Sequence, residues 1–409
     1  MSDLADDRDV RLQQMELIGP EGLARLRASR VAIVGAGNVG GAAALHVAQL
    51  GIPVTLIDRD RVGPENLRGQ GFSPDQIGQP KTMARVEALR RLNPDCQVTP
   101  IHAPVESLGL GALRGVDLIL AALDSNRARI ALNETAMRLG IAWLDAAIDG
   151  SGLSYTARVA MYPGGPGGAC FLCAHDTTSI QALAGADRAT TGCPTWWERR
   201  DPVTPPTLAV SALGTAAGAV QVIWAIEFLL GRGRRLAGRE AHFDLGLMAM
   251  RSHRLPMNPR CLLDHRAFPL TPIGGPVDHV SIANTFRIAE SLLGSGASLR
   301  LNRRHLVTEL NCATCGETRH PYRVLEAMTE EDARCRAGHL MAPLAFGLRD
   351  RLERHELAPA MGSTWGELGL PSEDVVTAVL EDAEVHLLFA PSPGSSEPGP
   401  DGFHGEEAP

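Results

Sequence analysis

Arg30-Val-Ala-Ile-Val34 runs straight into Gly35-Ala-Gly37-Asn-Val-Gly40, and a helical stretch follows over Gly41 to Leu50. A second apolar run, Val54-Thr-Leu-Ile-Asp58, ends in an acid. Strand, glycine turn, helix and strand in this order form the mononucleotide-binding βαβ pattern, which predicts an α/β fold with a doubly wound, Rossmann-like sheet. Gly35, Gly37 and Gly40 permit a tight turn and close approach of backbone to phosphate. The helix start favours negative charge, and Asp58 can accept from ribose hydroxyls. By itself the pattern does not separate NAD from ATP.

Outward from this core, an acidic start (Met1 to Asp7) precedes a helical stretch ending near Ser29. Downstream lie Gly63-Pro-Glu-Asn66-Leu-Arg68-Gly-Gln70, Gly78-Gln-Pro-Lys81, a helix, and Leu92-Asn-Pro-Asp95. Dehydrogenases have no need of this block. Of 39 basic residues, 38 are arginine, so Lys81 is the sole lysine. Mutational bias explains scarce lysines; a position that needs a compact ammonium also explains why one is kept here. A further strand, Asp117-Leu-Ile-Leu-Ala-Ala-Leu, ends at Asp124-Ser-Asn-Arg-Ala-Arg129, with Asn133 on the next helix and another strand at Ala142-Trp-Leu-Asp145-Ala-Ala.

The chain has 409 residues and a formal charge of 39 − 47 = −8, which argues against a general nucleic-acid binder. This length exceeds what one core usually supports and predicts two domains. The start lacks an export pattern, and Ala209 to Leu230, interrupted by Gln221 and Glu227, reads as a buried helix rather than a membrane span. A cytoplasmic protein without a membrane partner is expected. Its eight cysteines then point to metal or thiol chemistry rather than disulfides.

From about Arg8 to His265 the order of these motifs resembles the ThiF/MoeB/HesA adenylyltransferases of the ubiquitin-activating-enzyme-like superfamily. The resemblance implies binding of ATP and Mg2+, and activation of the C-terminal carboxylate of a ubiquitin-like protein as an acyl-adenylate. Gly35, Gly37 and Gly40 match the family's nucleotide loop, Asp58 its ribose acid, and Asn66 and Gln70 its phosphate-contacting segment. Lys81 matches the phosphate-binding lysine and Asp124 the magnesium aspartate, for which a helix cap is the alternative. Arg129 and Asn133 match positions on the following helix, with a surface ion pair and a helix-face amide as the alternatives. The family places arginine immediately before the glutamine; this chain has Gly69 there, and Arg68, one residue earlier, is the candidate to substitute for it in catalysis. Arg11 aligns with an arginine that reaches the partner subunit's nucleotide site, which implies a homodimer, with a solvated N-terminal arginine as the alternative.

Cys170-Phe-Leu-Cys173 is a C-x2-C knuckle; in the resembling family such a knuckle pairs with a second to hold zinc. Here the second is altered: Cys261 remains, and His265 is the expected fourth ligand, with Asp264 or Cys193 as alternatives. Cys312-Ala-Thr-Cys315 with Cys335-Arg-Ala-Gly-His339 has the spacing of a second Zn2+ site, a zinc ribbon. Three readings of Cys193 stand: a thioester-forming thiol, a structural thiol, or a zinc ligand. Cys96 reads as core, in a strand.

The expected organisation is an N-terminal tail over 1–7, an adenylation domain over 8–270, a linker over 271–277, an accessory domain with the zinc ribbon over 278–390, and a disordered tail over 391–409. A charged helix around Leu348 to Leu357 and a strand at Val385 to Phe389 are expected in the accessory domain. The function implied is adenylation of a Gly-Gly-type ubiquitin-like tail, with thioester transfer through Cys193 to a conjugating enzyme, as in bacterial conjugation operons, some of them antiviral. The alternatives are activation of a sulfur-carrier protein, adenylation of a peptide, tRNA or small molecule, and a scaffold whose catalysis has decayed.

Overall fold

The structure is a computed structural model that describes residues 9–150, 154–176, 178–179, 209–343 and 347–392. The chain divides into two compact units. The first holds residues up to Ser107 and Leu113–Phe268; the second holds Leu108–Ala112 and everything from Pro269 onward.

In the first unit, helices α1 (Val10–Gln14) and α2 (Gly19–Ala28) precede β1 (Val31–Val34), α3 (Asn38–Gln49) and β2 (Val54–Asp58). The short α4 (Leu67–Gln70), α5 (Lys81–Leu92) and β3 (Val98–His102) follow. Then come β4 (Leu118–Ala121), α6 (Asn126–Leu139), β5 (Ala142–Asp149), β6 (Thr156–Tyr162), α7 (Ser211–Leu229), β7 (Arg239–Asp244) and β8 (Ala249–Arg254). The eight strands lie in the order β3-β2-β1-β4-β5-β6-β7-β8. The first five are parallel and the last three antiparallel. All four residues of β1 and of β4 are buried, as expected for central parallel strands covered on both faces.

Helix α7 is the one helix among the described residues long and apolar enough to cross a membrane. Here it is a core helix. At Gly218 it meets α3 so closely that a Cβ would come within 2.7 Å of the Val39 carbonyl oxygen. Gln221 is fully buried and donates from Nε2 to the carbonyls of Ala121 (2.8 Å) and Leu144 (2.9 Å), satisfying strand groups that would otherwise be stranded inside. Cys96 is buried but precedes β3 rather than lying in it, because α5 and its turn end only at Asp95.

The second unit is built on a five-stranded mixed sheet with Arg351–Leu352, Ser298–Leu301, Val375–Leu380, Ala383–Ala390 and Leu270–Pro276 side by side. Helix α8 (Ile282–Leu293) is amphipathic. Its buried residues Ile282, Thr285, Phe286 and Ala289 follow helical spacing, and Ser281 caps its start by accepting from the Asn284 amide. Trp365, fully buried, donates from Nε1 to Thr285 Oγ1 at 2.8 Å. Two expectations fail here. The stretch taken as a linker from Thr271 is an edge strand paired with residues 386–390. The expected helix around Leu348 to Leu357 is two short strands and turns: Leu348 and Arg349 pair with Val307 and Leu306, while Arg351 and Leu352 pair with Arg300 and Leu299. Strand pairing overrides the helical spacing of Leu348 and Leu352.

Candidate functional site

Two glycines stand where no side chain fits, Gly35 in the loop between β1 and α3 and Gly40 in the first turn of α3. At Gly35, φ is 103° and a Cβ would lie 2.3 Å from the Ala122 carbonyl oxygen; at Gly40 it would lie 1.8 Å from that of Gly35. Asp58, at the end of β2, accepts from the amides of Ala36 (2.6 Å) and Asp60 (2.7 Å). Burial raises the pKa of this carboxyl, against the pull of both amides. Two carboxylate oxygens offer more lone pairs than two amides use, so Asp58 can still accept from hydroxyls. Gln70 Oε1 is buried without a hydrogen-bond partner and faces Gly37, where a Cβ would stand 3.5 Å away. An orphaned acceptor and a carboxylate beside a glycine cradle suit the hydroxyl and amino donors of a nucleotide.

Lys81 is the first residue of α5, and its side chain is buried. Its Nζ reaches Asp60 Oδ2 at 2.9 Å. Arg59 stands 3.7 Å from Asp60 and 4.0 Å from Asp124 Oδ1, so Lys81, Asp60, Arg59 and Asp124 form one alternating line of charge along the strand ends. Asp124 does not cap the following helix: Ser125 takes that role, accepting from the Ala128 amide at 3.2 Å. Its carboxylate is left half-exposed. Arg129 is buried rather than a surface residue. It donates from Nε to Asp145 Oδ1 at 3.1 Å and from Nη2 to the Leu123 carbonyl, fixing the turn that carries Asp124. Asp145 also meets Arg158. Burial alone would raise its pKa, but the two guanidiniums hold it below the usual carboxylate range.

Other matched residues turn elsewhere. Asn66 Oδ1 accepts from the Gly63 amide at 2.8 Å, closing its own turn, and Asn133 Oδ1 accepts from the Phe171 amide at 2.9 Å, steadying the cysteine knuckle. Arg68 and Arg11 are exposed. Cys193 lies outside the described residues.

Sequence reading missed Arg59, Asp60 and Arg85. Arg85, one turn after Lys81, donates from Nε to the Ala36 carbonyl (3.1 Å), from Nη2 to that of Gly37 (3.3 Å), and also to that of Gln70. It lies 4.1 Å from the centre of the Phe72 ring, and burial lowers its pKa to about 10. A Cβ on Gly41 would come within 2.5 Å of its guanidinium. Arg85 therefore joins the glycine loop to the segment that holds Gln70. Its four-residue spacing from Lys81 was the available signal.

Two Cys3His clusters are present among the described residues. Cys170, Cys173, Cys261 and His265 bring their ligand atoms within 4.8 Å of one another, and so do Cys312, Cys315, Cys335 and His339. In the first, Cys173 Sγ lies 3.3 Å from His265 Nε2 and Cys170 Sγ 3.6 Å from Cys261 Sγ. Asp264 is turned away into an ion pair with Arg138. Burial pushes the Cys170 thiol up to about 12. In the second, backbone hydrogen bonding at Cys315 leads the factors that bring the Cys312 thiol down to about 6. Sulfur and nitrogen donors at these distances can bind zinc.

Comparison with known proteins places the chain. The ThiF family profile matches residues 10–263. The SAMP-activating enzyme E1 of Haloferax volcanii is 30% identical over 258 residues, covering 62% of this chain and 87% of the relative. The molybdopterin-synthase adenylyltransferase of Escherichia coli is 27% identical over 267 residues, covering 64% and 98%. The solved structure of PaaA, 19% identical, superposes with a TM-score of 0.50 over 63% of this chain and 84% of that one, a likeness of fold alone. The chain belongs to the ThiF family and is an adenylyltransferase of that family.

Proposed function

We propose that the chain adenylates the C-terminal carboxylate of a small ubiquitin-like protein with a Gly-Gly-type tail. ATP supplies the adenylyl group: a bond forms between a tail carboxylate oxygen and the α-phosphorus as the bond to pyrophosphate breaks. The observation that carries the reading is the convergence of the sole lysine, Lys81, with Asp60, Arg59 and Asp124 at the strand ends beside the glycine loop. The names of the relatives, a SAMP-activating E1 and a molybdopterin-synthase adenylyltransferase, support a protein substrate.

In this reading Asp58 and Gln70 orient the nucleoside, and the loop amides and Lys81 neutralise the phosphates. An ammonium where negative charge develops is the stabilisation this transfer requires. Asp124 would hold a magnesium ion, which would supply positive charge against the phosphates. Arg129 keeps the Asp124 turn in place, and Arg11, exposed on α1, would serve the site of a second copy. Zn2+ in both Cys3His clusters would be structural.

Gly69 bears on the decayed-scaffold alternative, since the family arginine is missing there. A Cβ at Gly69 would meet nothing within 4 Å, and Arg85 brings a guanidinium to the adjoining Gln70 carbonyl. That half-buried cation favours a working site. Transfer of the acyl group from the adenylate to the Cys193 thiolate, with AMP as the leaving group, and then to a thiol of a conjugating enzyme completes the proposal, as in bacterial conjugation operons, some of them antiviral.

The test is intact-mass spectrometry without reductant, on the chain mixed with the Gly-Gly-tailed protein, ATP and Mg2+. We expect a thiol-sensitive adduct in the wild type, none in Cys193→Ala, and neither adduct nor AMP-linked protein in Lys81→Ala. AMP-linked protein without an adduct would confine the reaction to adenylation. No product in any sample would overturn the reading.

A further inference from the structure

Beside the first Cys3His cluster, whose Cys170 and Cys173 line the same cavity as Glu240 and His253, but sharing no ligand with it, a third set of ligand-type side chains converges on the antiparallel side of the large sheet. In the pairing of β7 with β8, Glu240 stands opposite His253 and His242 opposite Arg251. Glu240 and His242 are two residues apart on one strand and so share a face; His253, directly across from Glu240, shares it too. His242 Nε2 lies 2.5 Å from Glu240 Oε1, and His253 Nε2 lies 3.7 Å from the same oxygen. The two imidazoles stack with centres 5.6 Å apart and planes 16° from parallel. One donor atom from each of the three residues falls within 4.8 Å of the others.

We propose that Glu240, His242 and His253 form a divalent transition-metal site, selective for ions of the zinc, cobalt and nickel class. The donor set decides the class: two imidazoles and one carboxylate suit these ions, whereas magnesium and calcium prefer oxygen alone. Bonds of about 2.0–2.1 Å to a tetrahedral ion hold its donors roughly 3.4 Å apart, between the two distances present. The carboxylate is oriented from the inside: Arg158 Nη1 donates to Glu240 Oε2 at 2.8 Å, leaving Oε1 toward the histidines. Hydrogen-bonded support of a ligating carboxylate is what metal sites characteristically require. Arg158 is itself matched by buried Asp145, so its charge is shared between two carboxylates.

Both histidines are about half-exposed, which gives an ion a path from solvent. Three protein ligands leave a coordination position open, unlike the four-ligand clusters. Glu240 and His253 also line a cavity of 360 Å³ with Arg158, Tyr162 and His175, which gives room for water or a small anion at that position. The site is independent of the adenylation reading and stands or falls separately.

The test is Co2+ titration of the full chain after both Cys3His clusters have been loaded with zinc. The wild type should take one further equivalent, with visible d–d absorption and without the near-ultraviolet band of thiolate-bound cobalt. His242→Ala and His253→Ala should each weaken that binding at least 10-fold, while melting without added cobalt stays unchanged. Glu240→Gln, which keeps the shape but loses the charge, should weaken it as well. No further equivalent in the wild type, equal binding in the histidine variants, or an added equivalent that carries the thiolate band would overturn the proposal.

Discussion

Asp145 in the first unit and Asp374 in the second are both buried carboxylates held by arginine, and what the arginines do next differs. Asp145 sits between Arg129 and Arg158, and Arg129 extends to the Leu123 carbonyl beside Asp124. Asp374 meets Arg304 at 2.6 Å and accepts from the Leu110 amide at 2.8 Å, while Arg304 donates to the Leu108 carbonyl at 2.7 Å. The first network fixes a turn that carries a candidate metal ligand. The second fastens five residues of chain, Leu108–Ala112, into a unit whose other residues begin at Pro269. The same pair chemistry thus serves a site in one unit and a topology in the other; the spare donors of the arginine set the use.

Asp145→Asn is the hardest blow to this contrast, because it leaves the buried Arg129 guanidinium without its carboxylate and Arg158 with Glu240 alone. It should cost about 3–5 kcal/mol in thermal or denaturant unfolding and abolish adenylation with it. Asp374→Asn should cost a similar amount, about 3–5 kcal/mol, in the second unit, yet leave ATP–pyrophosphate exchange intact below its unfolding temperature. Loss of exchange in a folded Asp374→Asn protein would erase the distinction. The sign of the pH effect follows from the depressed pKa of Asp145. Its contribution is complete above the ordinary aspartate value of about 3.9 and disappears as pH falls through the lower folded value, so Asp145→Asn should flatten the acid limb of the wild-type stability profile.

Lys81→Ala should sharpen the contrast from the other side. Exchange should fall by about 10²–10³-fold while the melting temperature barely moves, since its partner Asp60 is already half-exposed with Lys81 in place. Arg85→Lys should be milder. An ammonium cannot span the Ala36, Gly37 and Gln70 carbonyls at once, and a loss of about 10-fold, roughly 1.4 kcal/mol, expressed mainly in KM for ATP, is expected.

The legible parts were those whose chemistry is local in sequence. The glycine loop, Asp58 at a strand end and Lys81 at a helix start are recognisable within a dozen residues and lie on the expected kind of element, and each C-x2-C knuckle is joined by a further Cys and His. Arg59, Asp60 and Arg85 escaped notice because their partners come from other elements, and nothing in an arginine's neighbours says which carbonyl it will reach. Asn66 and Asn133 show the converse: matched positions whose side-chain oxygens accept from nearby backbone. The second unit was least legible. Its strands at Leu306–Val307 and Leu348–Arg349 are two residues long, too short for any alternation to show, and its sheet is completed by the strand that had read as a linker. The Glu240, His242 and His253 group likewise needs the register of two strands before it exists.

The central claim, activation of a protein carboxylate through Lys81, is tested most directly by ATP–pyrophosphate exchange with and without the Gly-Gly-tailed protein. Exchange that appears only when that protein is present, vanishes when its terminal carboxylate is amidated, and is lost in Lys81→Ala is the predicted result. Exchange that is indifferent to the tail, or that survives in Lys81→Ala, would contradict it.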